Sequence, residues 1–166
     1  MIGDAALYNL LDALDIAYQY YEHPPAATME EALTCWKNID AVYCRNVFFR
    51  NHKGNRHYLV ITRHDRVLDI HALEKSLHQG KLSFASEARL QMYLGVKPGS
   101  VSPFGLIHDM EHHVHLFIDR ALTGAEKLTF HPNDNRATLV ISSGDFFKFL
   151  EYTGNSWELI DCFTPF

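Results

Sequence analysis

The chain has 166 residues, 47% of them hydrophobic and 21% charged, with a formal net charge of −5. This composition excludes a disordered chain, and the length fits one domain over residues 1–166. No apolar run approaches the roughly 20 residues of a membrane span, and the first residues lack the pattern of a signal peptide. Three cysteines at unrelated spacing argue against a disulfide framework, so we expect a cytoplasmic protein in a reducing compartment.

In the first half of the chain, apolar spacing and turn residues predict alternating helices and strands. In chain order these are a helix at 7–14, a strand at 17–22, a helix at 29–36, strands at 42–50 and 56–63, a helix at 69–80, a short strand at 82–84 and a helix at 86–94. Asp4 and Thr28 are the expected N-caps of the first two helices, and Thr28 forms a capping box with Glu31. Gly80 and Gly95 are expected to end the next two helices. A glycine-containing loop between the second and third strands predicts a hairpin.

The second half of the chain is richer in predicted strands. A loop at 97–103 precedes strands at 104–107, 114–119, 128–131 and 137–142, a helix that Ser143 caps and Gly154 ends, and a last strand at 157–162. Helices and strands are interleaved, but several neighbouring strands form hairpins. We therefore predict an α/β (α+β) fold with a mixed rather than a purely parallel sheet.

The charges are unevenly distributed along the chain. Residues 1–31 carry six acidic residues and no Lys or Arg, whereas residues 44–66 carry six basic residues against one acid. A local basic excess on an acidic protein favours a small anionic ligand or a short piece of nucleic acid. It does not favour a long DNA duplex, which usually requires a basic domain. The alternative is a hairpin whose charges are simply solvated.

Common catalytic motifs are missing from the sequence. There is no G-x-S-x-G, P-loop, H-E-x-x-H or G-x-G-x-x-G segment. Cys44 lies among apolar neighbours, which favours a buried structural thiol over a nucleophile. The histidine-rich segment at 108–115 is a candidate metal site because His113 and His115 alternate onto one strand face. The alternative, a polar turn without metal, is favoured since no second ligand cluster accompanies it.

Two loops are better candidates for a functional site. The loop at 99–103, between Pro98 and Phe104, can offer several backbone N–H groups to an anionic or carbonyl oxygen. The alternative is an ordinary connecting loop. His131 lies at a predicted strand end before turn-forming residues, where it either contacts a substrate or caps its own turn.

Five segments in order resemble one known family. They are His23-Pro24-Pro25, C-R-N-V-F-F-R at 44–50, L-S-F-A-S at 82–86, P-G-S-V-S-P-F-G-L at 98–106 and F-H-P-N-D-N-R-A-T at 130–138. This set resembles the YbaK/prolyl-tRNA-synthetase-associated editing domains, and within them the freestanding ProX/PrdX branch. Each segment is modest alone, but five in the right order over nearly the whole chain make a chance match improbable.

The resemblance implies a single compact domain with a mixed, partly barrel-like sheet flanked by helices. It also implies a trans-editing deacylase that binds the acceptor end of a mischarged tRNA and hydrolyses alanine from the proline tRNA, without metal, cofactor or covalent nucleophile. A transient association with prolyl-tRNA synthetase is a further expectation. An aminoacyl ester is already activated, so such an enzyme mainly orients water and stabilises the developing oxyanion.

The resemblance also implies roles for individual residues. The backbone of the 99–103 loop holds the terminal ribose and the substrate carbonyl in the family, and the matching residues here are Gly99, Ser100, Val101, Ser102 and Pro103. His131 matches the histidine at the aminoacyl pocket, where we expect it to fit a small side chain and exclude proline. The remaining substrate-binding candidates are Asn46, Thr28 and Arg50.

One residue departs from the family pattern. Arg45 stands where the family has a lysine that holds the tRNA end and supports hydrolysis. Arginine keeps the charge and can grip phosphate with two N–H groups, but it is longer and planar. We retain Arg45 as a contact to phosphate or to the terminal adenosine, and expect it to lie near the 99–103 loop and His131. The alternatives are the same chemistry on another mischarged amino acid, a non-catalytic tRNA-binding or regulatory module, and a histidine-cluster metal protein.

Overall fold

The computed structural model describes residues 1–26 and 28–164, with the backbone only for Met29, and a mixed sheet of eight strands organises this part of the chain. The strands are β1 (Gln19–Glu22), β2 (Val42–Arg50), β3 (His57–Arg63), β4 (Ser83–Phe84), β5 (His115–Asp119), β6 (Lys127–Phe130), β7 (Ala137–Ser142) and β8 (Trp157–Ile160). Their order is β1-β7-β6-β2-β3-β5-β8, and β4 pairs with β2 outside this path. The β2–β3, β6–β7 and β1–β7 pairs are antiparallel, whereas β2–β6, β3–β5 and β5–β8 are parallel, so the predicted mixed sheet is confirmed. Within the described residues β1 and β8 do not pair with each other, and the sheet is not a closed barrel.

Five α-helices of the described chain lie against this sheet: α1 (Ala5–Ala13), α2 (Met29–Cys35), α3 (Ile70–Leu77), α4 (Glu87–Leu94) and α5 (Ser143–Thr153). Short 3-10 helices occupy Pro103–His108 and Arg120–Gly124. The largest apolar core packs α1, α4 and α5 against the sheet, and a smaller core lies under α3 on the other side of β2 and β3. None of the helices described has the length and apolarity needed to cross a bilayer.

The residues at which the helices begin and end are set largely by capping residues close to them in the sequence. Asp4 accepts a hydrogen bond from the Ala6 N–H, and Thr28 accepts one from the Glu31 N–H, so both predicted N-caps are confirmed. Gly95 adopts a left-handed conformation with φ +62° and ends α4 as predicted. Two predicted boundaries are wrong by one or two residues: the N-cap of α5 is Ser142 rather than Ser143, and His78 rather than Gly80 is the C-cap of α3.

The predicted strand at 104–107 is wrong. Residues 103–108 form a 3-10 helix that begins when the Ser102 hydroxyl oxygen accepts a hydrogen bond from the Phe104 N–H at 3.1 Å. Pro103 at the start of this helix lacks an N–H group, which suits a helix N-terminus. Phe104 and Leu106 alternate as in a strand, but Gly105 between them is also buried. A Cβ at Gly105 would lie 2.7 Å from the Leu94 carbonyl oxygen, so only glycine allows this close packing on α4.

Candidate functional site

A gap in the sheet beside β2 creates the candidate site. At the start of β2, residues 42–43 pair with β6, and at its end residues 49–50 pair with β4 on the same edge. The Phe48 carbonyl oxygen also accepts a hydrogen bond from the Ala85 N–H at 2.9 Å. Between these two pairings, residues 44–47 have no strand partner on this edge among the described residues.

A cleft of about 480 Å³ opens at this gap. Its walls come from α2 and the segment before it, the middle of β2, the β4–α4 connection, the loop after α4 and the end of β6. The lining residues are Ala26, Thr28, Ala32, Trp36, Cys44, Arg45, Asn46, Val47, Phe48, Phe84, Ala85, Leu90, Pro98, Gly99, Val101, Thr129, Phe130 and His131. The cleft therefore brings together the 99–103 loop, Arg45 and His131, which are distant in sequence.

The loop at 99–103 presents two of its five residues to the cleft, Gly99 and Val101. The Ser100 hydroxyl oxygen accepts a hydrogen bond from the Asn135 N–H at 3.0 Å, while the Ser100 N–H donates to the Lys97 carbonyl oxygen. Ser102 and Pro103 are buried and begin the 3-10 helix. Ser100, Ser102 and Pro103 thus lie outside the cleft lining and hold the loop in place.

His131 is largely buried, at 8% exposed, and lies at the cleft wall where β6 ends. Its Nδ1 is 2.8 Å from the Ala137 carbonyl oxygen, so Nδ1 carries a proton and donates it. Burial lowers the pKa of His131, and the proximity of His23 lowers it further against the effect of the Ala137 bond. His131 is therefore a neutral side chain whose Nε2 is a hydrogen-bond acceptor.

Sequence reasoning missed the residues that pack beside His131. The rings of Trp36 and His23 each lie 6.0 Å from the His131 ring. The buried Thr138 hydroxyl oxygen accepts the Trp36 Nε1–H at 2.6 Å and lies 2.7 Å from His23 Nε2. The available signal was Thr138 itself, a polar residue between the apolar Ala137 and Leu139 of β7.

Of the other predicted binding residues, three line the cleft and one does not. Arg45 is exposed, Thr28 is exposed at the N-terminus of α2, and Asn46 is half-buried. The buried Asn46 Oδ1 atom has no hydrogen-bond partner among the described residues. The Arg50 guanidinium lies away from the cleft, beside the hairpin loop, where its Nη1 would be 3.3 Å from a Cβ at Gly54.

The basic segment at 44–66 divides into paired and unpaired cations. Arg63 pairs with Asp65 at 2.9 Å, and Arg66 pairs with the buried Asp119 at 2.8 Å. In the described part of the chain, four other cations of this segment have no acidic partner within ion-pair distance: Arg45, Arg50, Lys53 and Arg56. The unpaired cations run from the cleft to the tip of the β2–β3 hairpin and give this edge a positive potential.

Cys44 lies at the cleft floor but is 2% exposed. Burial raises the pKa of its thiol to about 12. A thiol with that pKa stays protonated at neutral pH, which is the property of a structural cysteine and not of an activated nucleophile.

The histidine-rich segment at 108–115 does not converge on one point. His113 lies before β5, with its Nε2 2.9 Å from His57 Nδ1, whereas His115 contacts Ser156 and Glu158. Among the residues described, no group of three or more His, Cys, Asp or Glu side chains is arranged to hold a metal ion. The expectation that His113 and His115 share a strand face is wrong, because the strand begins only at His115.

Comparisons with known proteins agree on one family. The model of the aminoacyl-tRNA editing domain matches residues 23–149. The chain is 41% identical over 162 residues to the prolyl-tRNA editing protein ProX of Acetoanaerobium sticklandii, which covers 97% of this chain and 98% of the relative. It is 35% identical to prolyl-tRNA synthetase associated domain-containing protein 1 of Bos taurus, over 91% of this chain and 90% of that protein.

A solved structure supports the same fold. It is described as a candidate trans-editing enzyme for prolyl tRNA synthetase and superimposes with a TM-score of 0.69 at 19% identity, over 98% of this chain and 99% of the other. At that identity the likeness concerns the fold alone. The family model and the relatives cover most of the chain, including the cleft and both candidate loops. The chain therefore belongs to the aminoacyl-tRNA editing domain family.

Proposed function

We propose that this protein hydrolyses the ester bond that joins alanine to a mischarged proline tRNA. The observation that carries the proposal is the meeting of the 99–103 loop, His131 and Arg45 around one cleft in a member of an editing-domain family. The relative that is 41% identical over nearly its whole length is named a prolyl-tRNA editing protein, which supports proline tRNA as the substrate.

The loop supplies the hydrogen-bond donors that ester hydrolysis needs. The Ser100 N–H donates to Lys97, but the N–H groups of Gly99 and Val101 have no acceptor among the described residues. Both residues line the cleft, so their N–H groups are free to bind the substrate carbonyl oxygen or the terminal ribose. Backbone donors held in this way stabilise the negative charge that develops on the carbonyl oxygen in the transition state.

The attack itself requires little from side chains. An aminoacyl ester is an activated acyl group, so a bound water and a neighbouring ribose hydroxyl suffice once the ester is correctly oriented. Cys44 takes no part because its thiol stays protonated and buried. In the proposed complex Arg45 binds a phosphate near the tRNA end and fixes the position of the ester.

His131 and Trp36 shape the part of the cleft that receives the amino acid. Their rings lie 6.0 Å apart, and both are held by hydrogen bonds to β7, His131 to Ala137 and Trp36 to Thr138. Rigid walls exclude a larger substrate effectively, because the larger side chain would overlap with them. A large pocket excludes a smaller substrate less well, since each missing methylene lowers the binding free energy by only about 1–3 kcal/mol. We therefore expect alanine to enter and proline to be rejected.

A panel of mischarged tRNAs tests the proposal. Purified protein should release alanine from alanyl-tRNA(Pro) faster than it releases proline from prolyl-tRNA(Pro), with the rate unchanged by a chelator. Faster release of a different amino acid would keep the chemistry and change the substrate. Binding of the tRNA without release above the uncatalysed rate would show that the protein is a tRNA-binding module and not an enzyme. Loss of activity on chelation would show that hydrolysis needs a metal ion, with the histidines at 108–115 as its candidate ligands.

The same proposal includes a cellular setting. A protein that acts on freshly mischarged tRNA is expected in the cytoplasm, in agreement with its three free cysteines. A transient association with prolyl-tRNA synthetase would deliver the substrate. We expect the synthetase to co-purify with this protein, and more of it to do so when tRNA(Pro) is added. Absence of the synthetase even after mild crosslinking would show that the two proteins do not associate.

A further inference from the structure

Phe84 is an exposed aromatic ring at the mouth of the cleft. Eight large hydrophobic side chains of the described residues are exposed, and among them only Phe84, at 70% exposure, lines the cleft. Such exposure gains the folded chain little from the hydrophobic effect, because most of the ring remains in water. Core packing therefore does not explain why a large aromatic side chain is exposed at this position.

The position of the ring is fixed by its surroundings. Phe84 lies opposite Phe49 in the β2–β4 pair, and the two rings stack with centroids 5.2 Å apart and planes 23° apart. Phe49 is fully buried, so one face of Phe84 rests on the core. On either side the backbone is also held, since the Leu82 N–H donates to Glu74 Oε1 and the Ala85 N–H to the Phe48 carbonyl oxygen. A ring held at its back and open at its front loses little entropy when a flat ligand stacks on it.

Arg45 provides a positive charge on the same face of the sheet. Side chains alternate along a strand, so Arg45 shares a face with Phe49 and hence with Phe84. Arg45 and Phe49, the residue opposite Phe84, are four residues apart on β2, which is about 13 Å at about 3.3 Å per residue. Both Arg45 and Phe84 line the cleft, and Arg45 has no ion-pair partner in the described chain.

We propose that Phe84 is the stacking platform for the base of the terminal tRNA nucleotide, the one whose ribose carries the amino acid. This inference rests on the proposed function, because the ester then lies inside the cleft at Gly99 and Val101. The base attached to that ribose leaves the cleft at its mouth, where Phe84 meets it while Arg45 binds the adjoining phosphate. A flat aromatic ring in the same cleft as an unpaired cation fits a nucleotide better than an apolar protein segment, which would leave Arg45 unpaired.

A double-mutant cycle between the ring and the base tests the proposal. The ligand is a synthetic hairpin RNA with an unpaired 3′ end that carries alanine in a non-hydrolysable amide, with the terminal adenosine either intact or replaced by an abasic ribose. The wild-type protein should bind the abasic RNA roughly 5- to 150-fold more weakly, the range for one stacked base. Phe84→Ala should bind both RNAs equally weakly, and Phe84→Trp should restore the preference for the intact RNA.

The controls separate stacking from general effects. Tyr152→Ala removes another exposed aromatic ring, 57% exposed and outside the cleft lining, and should behave as wild type. Phe84→Leu keeps an apolar side chain without a π face and should behave as Phe84→Ala, which guards against loss of folding in the alanine variant. Thermal unfolding of every variant should match the wild type within a few degrees.

Several results would overturn the platform. A Phe84→Ala protein that still distinguishes the two RNAs, or a wild type that does not, would exclude stacking at this ring. Coupling with an abasic ribose at the penultimate position instead would exclude the terminal base. Because the ligand is not hydrolysed, the cycle measures binding independently of catalysis. Coupling in a protein that does not deacylate alanyl-tRNA(Pro) would contradict the proposed reaction but support stacking on Phe84. Deacylation without coupling would support the reaction and contradict stacking on Phe84.

Discussion

The Ser100 hydroxyl oxygen accepts a hydrogen bond from the Asn135 N–H at 3.0 Å, across 35 residues of sequence. This bond joins the loop that holds Gly99 and Val101 to the turn that follows His131. The two candidate halves of the site are therefore fixed relative to each other by one side chain that does not itself line the cleft.

Removing that hydroxyl should damage activity more than folding. Ser100→Ala leaves the Asn135 N–H without its acceptor, at a cost of about 1–3 kcal/mol in the free energy of unfolding. Deacylation should fall further than that loss of stability explains, since the Gly99 and Val101 donors lose their fixed position. Chemical denaturation and single-turnover deacylation measure the two effects. Ser143→Ala is the matched control because no hydrogen bond of its hydroxyl is found among the described residues; activity that merely follows stability would contradict the prediction.

Arg45→Ala should weaken tRNA binding and its dependence on salt together. A lost phosphate contact reduces the slope of log affinity against log salt by about 0.7–0.9. Arg45→Lys keeps the charge and should keep the slope, so any change in its rate reports the geometry of the guanidinium. Arg63→Ala serves as the control because Arg63 pairs with Asp65 and does not line the cleft. An unchanged salt slope in Arg45→Ala would remove Arg45 from the site.

Cys44→Ala should retain deacylation within a few-fold of the wild type. The thiol lines the cleft floor, but its pKa is raised to about 12 by burial, and it does not ionise at neutral pH. Thiol-alkylating reagents should likewise leave the initial rate unchanged in the folded protein. Loss of more than a hundredfold in a variant that remains folded would identify Cys44 as a nucleophile.

Folding stability should fall as the pH drops from about 6.5 to 4. Burial lowers the pKa of His57 from 6.5 to about 4, assisted by His113, Arg89 and Arg50. Between these values the unfolded chain binds a proton that the folded chain does not, so protonation favours unfolding as the pH falls. The pKa of His131 is lowered as well, which acts in the same direction.

Chemical denaturation at pH 7, 6, 5 and 4.5 measures this dependence while most carboxylates remain ionised. His57→Gln should show a flatter profile over that range, and His71→Gln, a change at an almost fully exposed histidine, should match the wild type. Equal slopes for His57→Gln and the wild type would show that His57 does not stay neutral in the folded protein.

The features predicted correctly from the sequence depend on local interactions. N-caps and hairpins are set by residues within a few positions of each other. The two cleft loops are likewise indicated by short continuous segments, at 98–106 and 130–138. The alternation of Phe104 and Leu106 predicts a strand, and this prediction is wrong because alternation alone does not separate a strand from a buried 3-10 helix. The contacts of Thr138 with Trp36 and His23 span 102 and 115 residues. The pairing of β1 with β7 brings His23 to Thr138, and the packing of α2 against β7 brings Trp36 there. No local pattern contains that information.

His131→Ala should change amino-acid preference more than it changes stability. The side chain forms part of the cleft wall with Trp36, so its removal enlarges the space beside the amino acid and should admit proline. The ratio of alanine release to proline release should therefore fall by about tenfold or more, since a rigid wall excludes a larger side chain by more than the roughly 1–3 kcal/mol that a missing methylene is worth. His131→Asn offers the second variant, because its amide can still donate to the Ala137 carbonyl oxygen while filling less space. If preference follows the cavity, both variants lose it; if His131 only caps its own turn, His131→Ala is destabilised with the wild-type preference and His131→Asn resembles the wild type in both measurements.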